Sequence, residues 1–203
     1  IIVVNDGSSD NTFKIVSDLA VNNKRLKIIG YQHNRGKGYA IAFGIRHAMG
    51  DLILFMDADN STTINQLPPF IEEVNKGADI VVGSRRLPSS KITIRQPWLR
   101  EVLGYMFRSL VSFIMPLRVS DSQAGFKLIS RELALAYAKK QRIFRWAFDV
   151  ELLAMARARK WRVVELPIVW QNDSQSKVRF TGMINMLIEV IKIRYYYLNN
   201  YYL

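Results

Sequence analysis

Cysteine is absent from the 203 residues. Disulfides, thiolate metal sites and cysteine nucleophiles are therefore excluded, and the redox compartment stays undecided. No apolar run reaches the roughly 20 residues needed to span a bilayer as a helix. No low-complexity tract or internal repeat occurs, which excludes solenoids and an unfolded tail. No signal peptide is expected within the sequence as it stands. Nor does the chain begin with Met. It opens on the apolar run Ile1-Ile2-Val3-Val4, which reads as a strand entered midway and implies a missing N-terminal strand. Acidic residues are also scarce, 17 against 29 Lys plus Arg, for a net charge of +12. Such a surplus calls for an anionic partner: a phosphorylated substrate, anionic lipid or nucleic acid. No recognised nucleic-acid motif accompanies it, so nucleic acid is not expected.

What remains is an ordinary globular composition, 49% hydrophobic and 23% charged, and a length that suits a single domain over residues 1–203. The first 85 residues alternate in period. Strands are predicted at Ile1 to Asn5, Leu26 to Gly30, Leu52 to Met56 and Ile80 to Gly83. Helices are predicted after Asp10-Asn11, after Gly36 and around Ile64 to Val74. Strand–helix alternation with short connections specifies an α/β fold, with a mostly parallel central sheet flanked by helices. Ligands of such sheets sit beyond the carboxyl ends of the strands. The polar clusters Asp6 to Asn11, Asp57 to Thr63 and Ser84 to Arg86 all follow strand ends, so they should meet on one rim. In the second half, helices are expected at Arg131 to Lys140, Asp149 to Lys160 and Thr181 to Asn199, with a strand at Arg162 to Trp170.

Three local patterns carry chemistry. Asp57-Ala58-Asp59 places two carboxylates at the end of an apolar strand, hard oxygen ligands suited to Mg2+ or Mn2+. A solvated, helix-capping turn uses the same residues. Asp6-Gly7-Ser8-Ser9 offers a carboxylate acceptor beside a tight turn. Asn34-Arg35-Gly36-Lys37-Gly38 brings glycines and a helix N-terminus where a phosphate or base can approach. It lacks the Gly-Lys-Ser/Thr ending of a P-loop.

Taken in order, Val4 to Thr12, Asn34 to Gly38, Asp57 to Asp59 and Gly83-Ser84-Arg85 resemble the signatures of family 2 glycosyltransferases, whose fold is the Rossmann-like GT-A type. Asp121 to Leu128, Trp146 to Leu153 and Ser176-Lys177-Val178 resemble its polyprenyl-phosphate branch, and most of all the dolichyl-phosphate β-glucosyltransferases. That resemblance implies inverting, metal-dependent transfer of a hexose from a nucleotide sugar to polyprenyl or dolichyl phosphate. UDP-glucose is the favoured donor and GDP-mannose the runner-up. It implies a membrane-associated enzyme at the cytoplasmic face. It gives Val4, Asp6 and Lys37 to the nucleotide, together with Asp57, Ala58 and Asp59. Asp57 and Asp59 become the metal pair, Arg85 and Lys177 phosphate contacts, Arg179 a further acceptor-phosphate contact, and Asp149 a catalytic candidate. The family's Asp-Asp is Asn5-Asp6 here, and a metal-assisting Gln of the mannosyl relatives falls at Ser61. A hydroxyl-acceptor transferase would instead need Asp121 or Asp149 as base. A non-catalytic membrane adaptor on the same scaffold is a further alternative.

Two segments are suited to a membrane interface. Trp98 to Pro116 mixes Trp, Tyr, Phe and Met with arginines, and the C-terminal helix at 180–203 ends in a Tyr-rich tail. Oligomer contact would use the same residues.

Overall fold

The chain's structure is a computed structural model that describes residues 1–94, 98–172 and 180–203. Strand β1 (Ile2–Asp6) pairs in parallel with β2 (Lys27–Tyr31), and helix α1 (Thr12–Asn22) crosses between them. The Asp10 carboxylate accepts a bond from Thr12 N at 3.0 Å and so starts α1. Helix α2 (Lys37–His47) leads to β3 (Leu52–Met56). A 3-10 turn and α3 (Pro68–Asn75) lead to β4 (Ile80–Ser84), buried along its whole length.

The second half adds β5 (Lys91–Ile94), α4 (Trp98–Ile114), β6 (Phe126–Ser130), α5 (Arg131–Lys140), α6 (Phe148–Ala158), β7 (Val163–Pro167), β8 (Val169–Gln171) and α7 (Phe180–Leu198). The central sheet runs β3-β6-β4-β7. Strand β6, which the hydrophobic pattern did not reveal, inserts antiparallel between β3 and β4, while β7 runs parallel to β4. Three of the four strands thus share a direction. The single strand expected at 162–170 is split: β7 continues the sheet, and β8 leaves it to pair with β5.

Helix α6 lies in the middle of the core, and its residues Phe148 to Ala156 are all buried. Such a helix is normally apolar on every side. This one carries Asp149 and Glu151, so both carboxylates require internal partners.

Helices α4 and α7 pack together and leave apolar side chains in solvent. Trp98, Tyr105, Met106 and Phe113 project from α4; Ile184, Ile188, Ile191 and Tyr195 project from α7. The tail expected at an interface divides. Tyr195 and Leu198 are exposed, but Tyr202 is fully buried and its hydroxyl donates to Glu151 Oε1 at 3.0 Å. Its aromatic ring fills the core beside Tyr196 and Tyr201. Residues 201–202 therefore belong to the core rather than to an interfacial surface. Among the described residues no helix is long and apolar enough to cross a membrane.

Candidate functional site

The rim predicted from topology forms at the ends of β1 and β3. Asp6 closes β1, and its carboxylate is bound by the loop that leads into α2. Asn34 Nδ2 donates at 2.8 Å, Arg35 N at 2.7 Å and Gly36 N at 3.0 Å. Asp6 thereby sets the shape of the 34–36 loop. Gly36 adopts φ +101°, and a β-carbon there would lie 2.6 Å from the Phe144 carbonyl oxygen, so both conformation and space require glycine. Val4 sits on β1 with its side chain against Gly44 of α2.

The loop delivers Lys37 to Asp57. Lys37 Nζ forms an ion pair with Asp57 Oδ1, both side chains being about one-third exposed. Asp57 N in turn donates to the Gly125 carbonyl at 3.0 Å. Ala58 and Asp59 are exposed, and Asp59 Oδ1 accepts from Ser61 N at 2.9 Å. The site thus unites Asp6, Lys37, Asp57 and Asp59, as the motif order implied.

Arg85, at the end of β4, is held by Asp121. Its Nε donates to Oδ2 at 2.7 Å and its Nη2 to Oδ1 at 2.8 Å, a fork-to-fork pair over the Trp170 ring. Burial opposes ionisation of Asp121, but Arg85 outweighs it and holds the carboxyl down at about 2. The fork uses two of the five guanidinium donors, so Arg85 keeps capacity for a phosphate. Behind it, Glu165 of β7 accepts from Ser120 N at 2.8 Å, from Ser120 Oγ at 2.7 Å and from Asp121 N at 3.1 Å, fixing the turn.

Asp149 lies behind the rim rather than in it. It is nearly fully buried and ion-paired at 2.5 Å with Lys127, a lysine with no exposure at all. Burial pushes the Asp149 carboxyl up from its ordinary value, against the pull of Lys127 and Lys37. Lys127 lies within the Asp121 to Leu128 motif but was given no role in the sequence reading, and Glu165 was not singled out. The one available signal was a lone charge inside the apolar run Phe126 to Ile129. Lys177 and Arg179 lie outside the described residues.

Glu151, two residues on, ties three segments together. It accepts from Arg142 N at 2.9 Å, Ile143 N at 3.0 Å and the Tyr202 hydroxyl. Burial nevertheless pushes its carboxyl up from 4.5 to about 7. A raised carboxyl pKa means that the folded state holds a proton the unfolded chain has released. Its contribution is complete below about pH 4.5 and is lost as pH rises through about 7. The thermal midpoint should therefore fall between pH 5 and pH 8. Glu151→Gln should flatten that slope in a pH series of melting curves; Asp149 and Glu189, both also raised by burial, retain part of it.

The donor chemistry at 57–59 fits a divalent cation. Mg2+ and Mn2+ are commonly held by one or two carboxylates together with substrate phosphates and water. Asp59 is exposed and carries a single hydrogen bond among the described residues. Lys37 occupies Asp57 Oδ1, so that oxygen can serve as a direct ligand only after Lys37 leaves it. No cluster of three or more candidate ligand residues exists among the described residues, so the substrate would have to complete the coordination.

Comparison with known proteins bears on the family and the fold. The family model described as "Glycosyl transferase family 2" matches residues 1–137. A dolichyl-phosphate beta-glucosyltransferase of Trichomonas vaginalis, ALG5C, is 39% identical over 97% of the chain and 60% of its own length. The human dolichyl-phosphate beta-glucosyltransferase is 34% identical over 98% of the chain and 64% of its own length. The chain thus spans somewhat less than two thirds of these relatives. Among solved structures, glucosyl-3-phosphoglycerate synthase from Mycobacterium tuberculosis, in complex with Mn2+, UDP-glucose and phosphoglyceric acid, superposes with a TM-score of 0.61. It is 20% identical, over 98% of this chain and 68% of that one, and it supports the GT-A fold. With a family match over its first 137 residues, the chain belongs to glycosyl transferase family 2.

Proposed function

We propose that this chain catalyses inverting transfer of glucose from UDP-glucose to dolichyl phosphate at a membrane surface. The observation that carries the reading is the union of the Asp6 loop, Lys37 and the Asp57–Asp59 pair on one rim, with Asp59 open to solvent. Kinship with dolichyl-phosphate beta-glucosyltransferases supports the choice of substrates.

The chemistry follows from the charges. An oxygen of the acceptor phosphate attacks the sugar C1 as the bond from C1 to the diphosphate breaks, and the electron pair leaves on UDP. The acceptor is already largely ionised near pH 7, because a phosphate monoester's second pKa is about 6. No strong general base is needed. Asp121, held at about 2, would be a poor one in any case, which weighs against a hydroxyl acceptor. Asp59, with Asp57 as second carboxylate, would hold Mg2+ or Mn2+, which when bound neutralises the departing diphosphate. Lys37, paired with Asp57 Oδ1, can turn to the phosphates. Arg85 offers its remaining donors to the donor or acceptor phosphate, and Lys177 and Arg179 are assigned to the acceptor phosphate.

The exposed apolar faces of α4 and α7 would lie in the interface and bring the site to the lipid headgroup. Phe113, 86% exposed, is the most exposed of the described side chains on that face.

The test is a donor panel, UDP-glucose against GDP-mannose, with dolichyl phosphate in liposomes and a short polyprenyl phosphate in solution. UDP-glucose should be the better donor by at least about 100-fold. Phe113→Glu should slow the liposome reaction by about tenfold and leave the soluble acceptor unaffected. Equal use of both donors rejects the glucosyl assignment. An equal effect of Phe113→Glu on both acceptors rejects the membrane face.

A further inference from the structure

Lys127 has no part in the reaction as proposed, and stability explains it poorly. A buried ion pair seldom stabilises a fold more than apolar side chains of similar volume would. Its two contacts are more informative. Nζ donates to the Ala124 carbonyl and to Asp149 Oδ1, each at 2.5 Å.

Each contact leads to one wall of the rim. Ala124 precedes Gly125, whose carbonyl accepts Asp57 N and whose bare α-carbon makes room for the Asp57 carboxylate. Asp149 follows Phe148, whose β-carbon lies against Gly38, the residue after Lys37; a β-carbon on Gly38 would meet it at 2.5 Å. Between the walls stand two aromatic rings. Phe55 and Phe148 meet edge to face at 6.1 Å, with Lys127 Nζ 5.6 Å from the first ring and Lys37 Nζ 5.8 Å from the second. Two ion pairs, Lys37–Asp57 at the rim and Lys127–Asp149 beneath it, thus flank one aromatic pair.

We infer that Lys127 is a positioning residue: by holding Asp149 and the Ala124 carbonyl together, it fixes the two walls between which Asp57 and Lys37 meet, and so sets the donor site from below. The inference rests on the proposed use of a nucleotide sugar at Asp57 and Asp59. It does not give Lys127 any contact with substrate. Removing the buried pair should therefore damage donor binding more than it damages the fold.

The experiment measures Mn2+–UDP-glucose binding to the full-length protein by calorimetry, beside melting curves. K127M/D149L removes both charges together and leaves neither unpaired in the core. Donor affinity should fall by about 10–100-fold with the cooperative melting transition retained, the usual cost of losing a group that orients a ligand-bearing side chain. K127R keeps the charge, but its planar fork cannot place one nitrogen on both acceptors, so a smaller loss of affinity is expected. Wild-type donor affinity in either folded variant overturns the inference. No binding by the unaltered protein would instead overturn the proposed function and is read separately.

Discussion

Asp59→Asn is expected to lower the rate of glucose transfer by about 100–1000-fold, the scale seen when one preorganised electrostatic contact to a transition state is removed. The substitution is chosen for what it preserves. Asn keeps an oxygen to accept the bond from Ser61 N, so the turn after β3 should hold its shape. The side chain is exposed, and surface changes of this kind usually alter stability by no more than about 0.5 kcal/mol. What is lost is a negative charge beside the position assigned to the cation and the departing diphosphate. Initial rates with excess UDP-glucose, measured beside melting curves, separate the two effects. The unaltered protein should also lose its activity in excess chelator and recover it with Mg2+ or Mn2+. A variant with wild-type rate and wild-type melting would remove Asp59 from the mechanism. Absence of any transfer by the unaltered protein would instead favour the adaptor reading, in which the acidic pair has no chemical task.

The rim was legible in the sequence because its parts are motifs: each holds its residues within a few positions and follows a strand end. Asp6, Asp57 and Asp59 could be placed together from strand–helix alternation; Gly36 and Lys37 joined them through the ordered motifs of the family resemblance. The contact between the partners beneath the rim was not legible, for the opposite reason. Lys127 and Asp149 are 22 positions apart in different elements, and only the antiparallel insertion of β6 beside β3 brings them into contact. A lysine inside Phe126 to Ile129 interrupts the apolar pattern by which a buried strand is recognised, so the residue that matters also hid the strand that carries it. Arg85 was foreseen as a phosphate contact, but its clamp on Asp121 spans 36 positions and needs Glu165 of β7 to hold the turn. Tyr202 shows a different ambiguity. A run of tyrosines suits a core, an interface between subunits or a bilayer surface, and composition does not choose among them. The choice was made by Glu151, a buried carboxylate that required a donor.

Gly125→Ala should be the most damaging single methyl group in the protein. A β-carbon built on Gly125 falls 2.0 Å from Asp57 Oδ2 and 2.4 Å from its Cγ, far inside contact distance. Something must move, and the backbone is the harder part to shift. The Asp57 amide is bonded to the Gly125 carbonyl, and β3 and β6 are locked in register on either side. The Asp57 side chain is the softer element, so its carboxylate should rotate away and abandon Lys37. Overpacking of this kind costs about 1–3 kcal/mol, which leaves a folded protein with a lowered melting point. Displacing a reacting group by about 1 Å, by contrast, can cost about 100-fold in rate. Activity should therefore collapse while the fold survives. The mechanism can be separated from general damage by a double-mutant cycle. If Gly125 acts through Asp57, adding Gly125→Ala to Asp57→Ala should cost little further activity, because the carboxylate it displaces is already gone. Fully additive losses would show that Gly125 serves the site by some other route, and would leave the close approach of the two residues as packing alone.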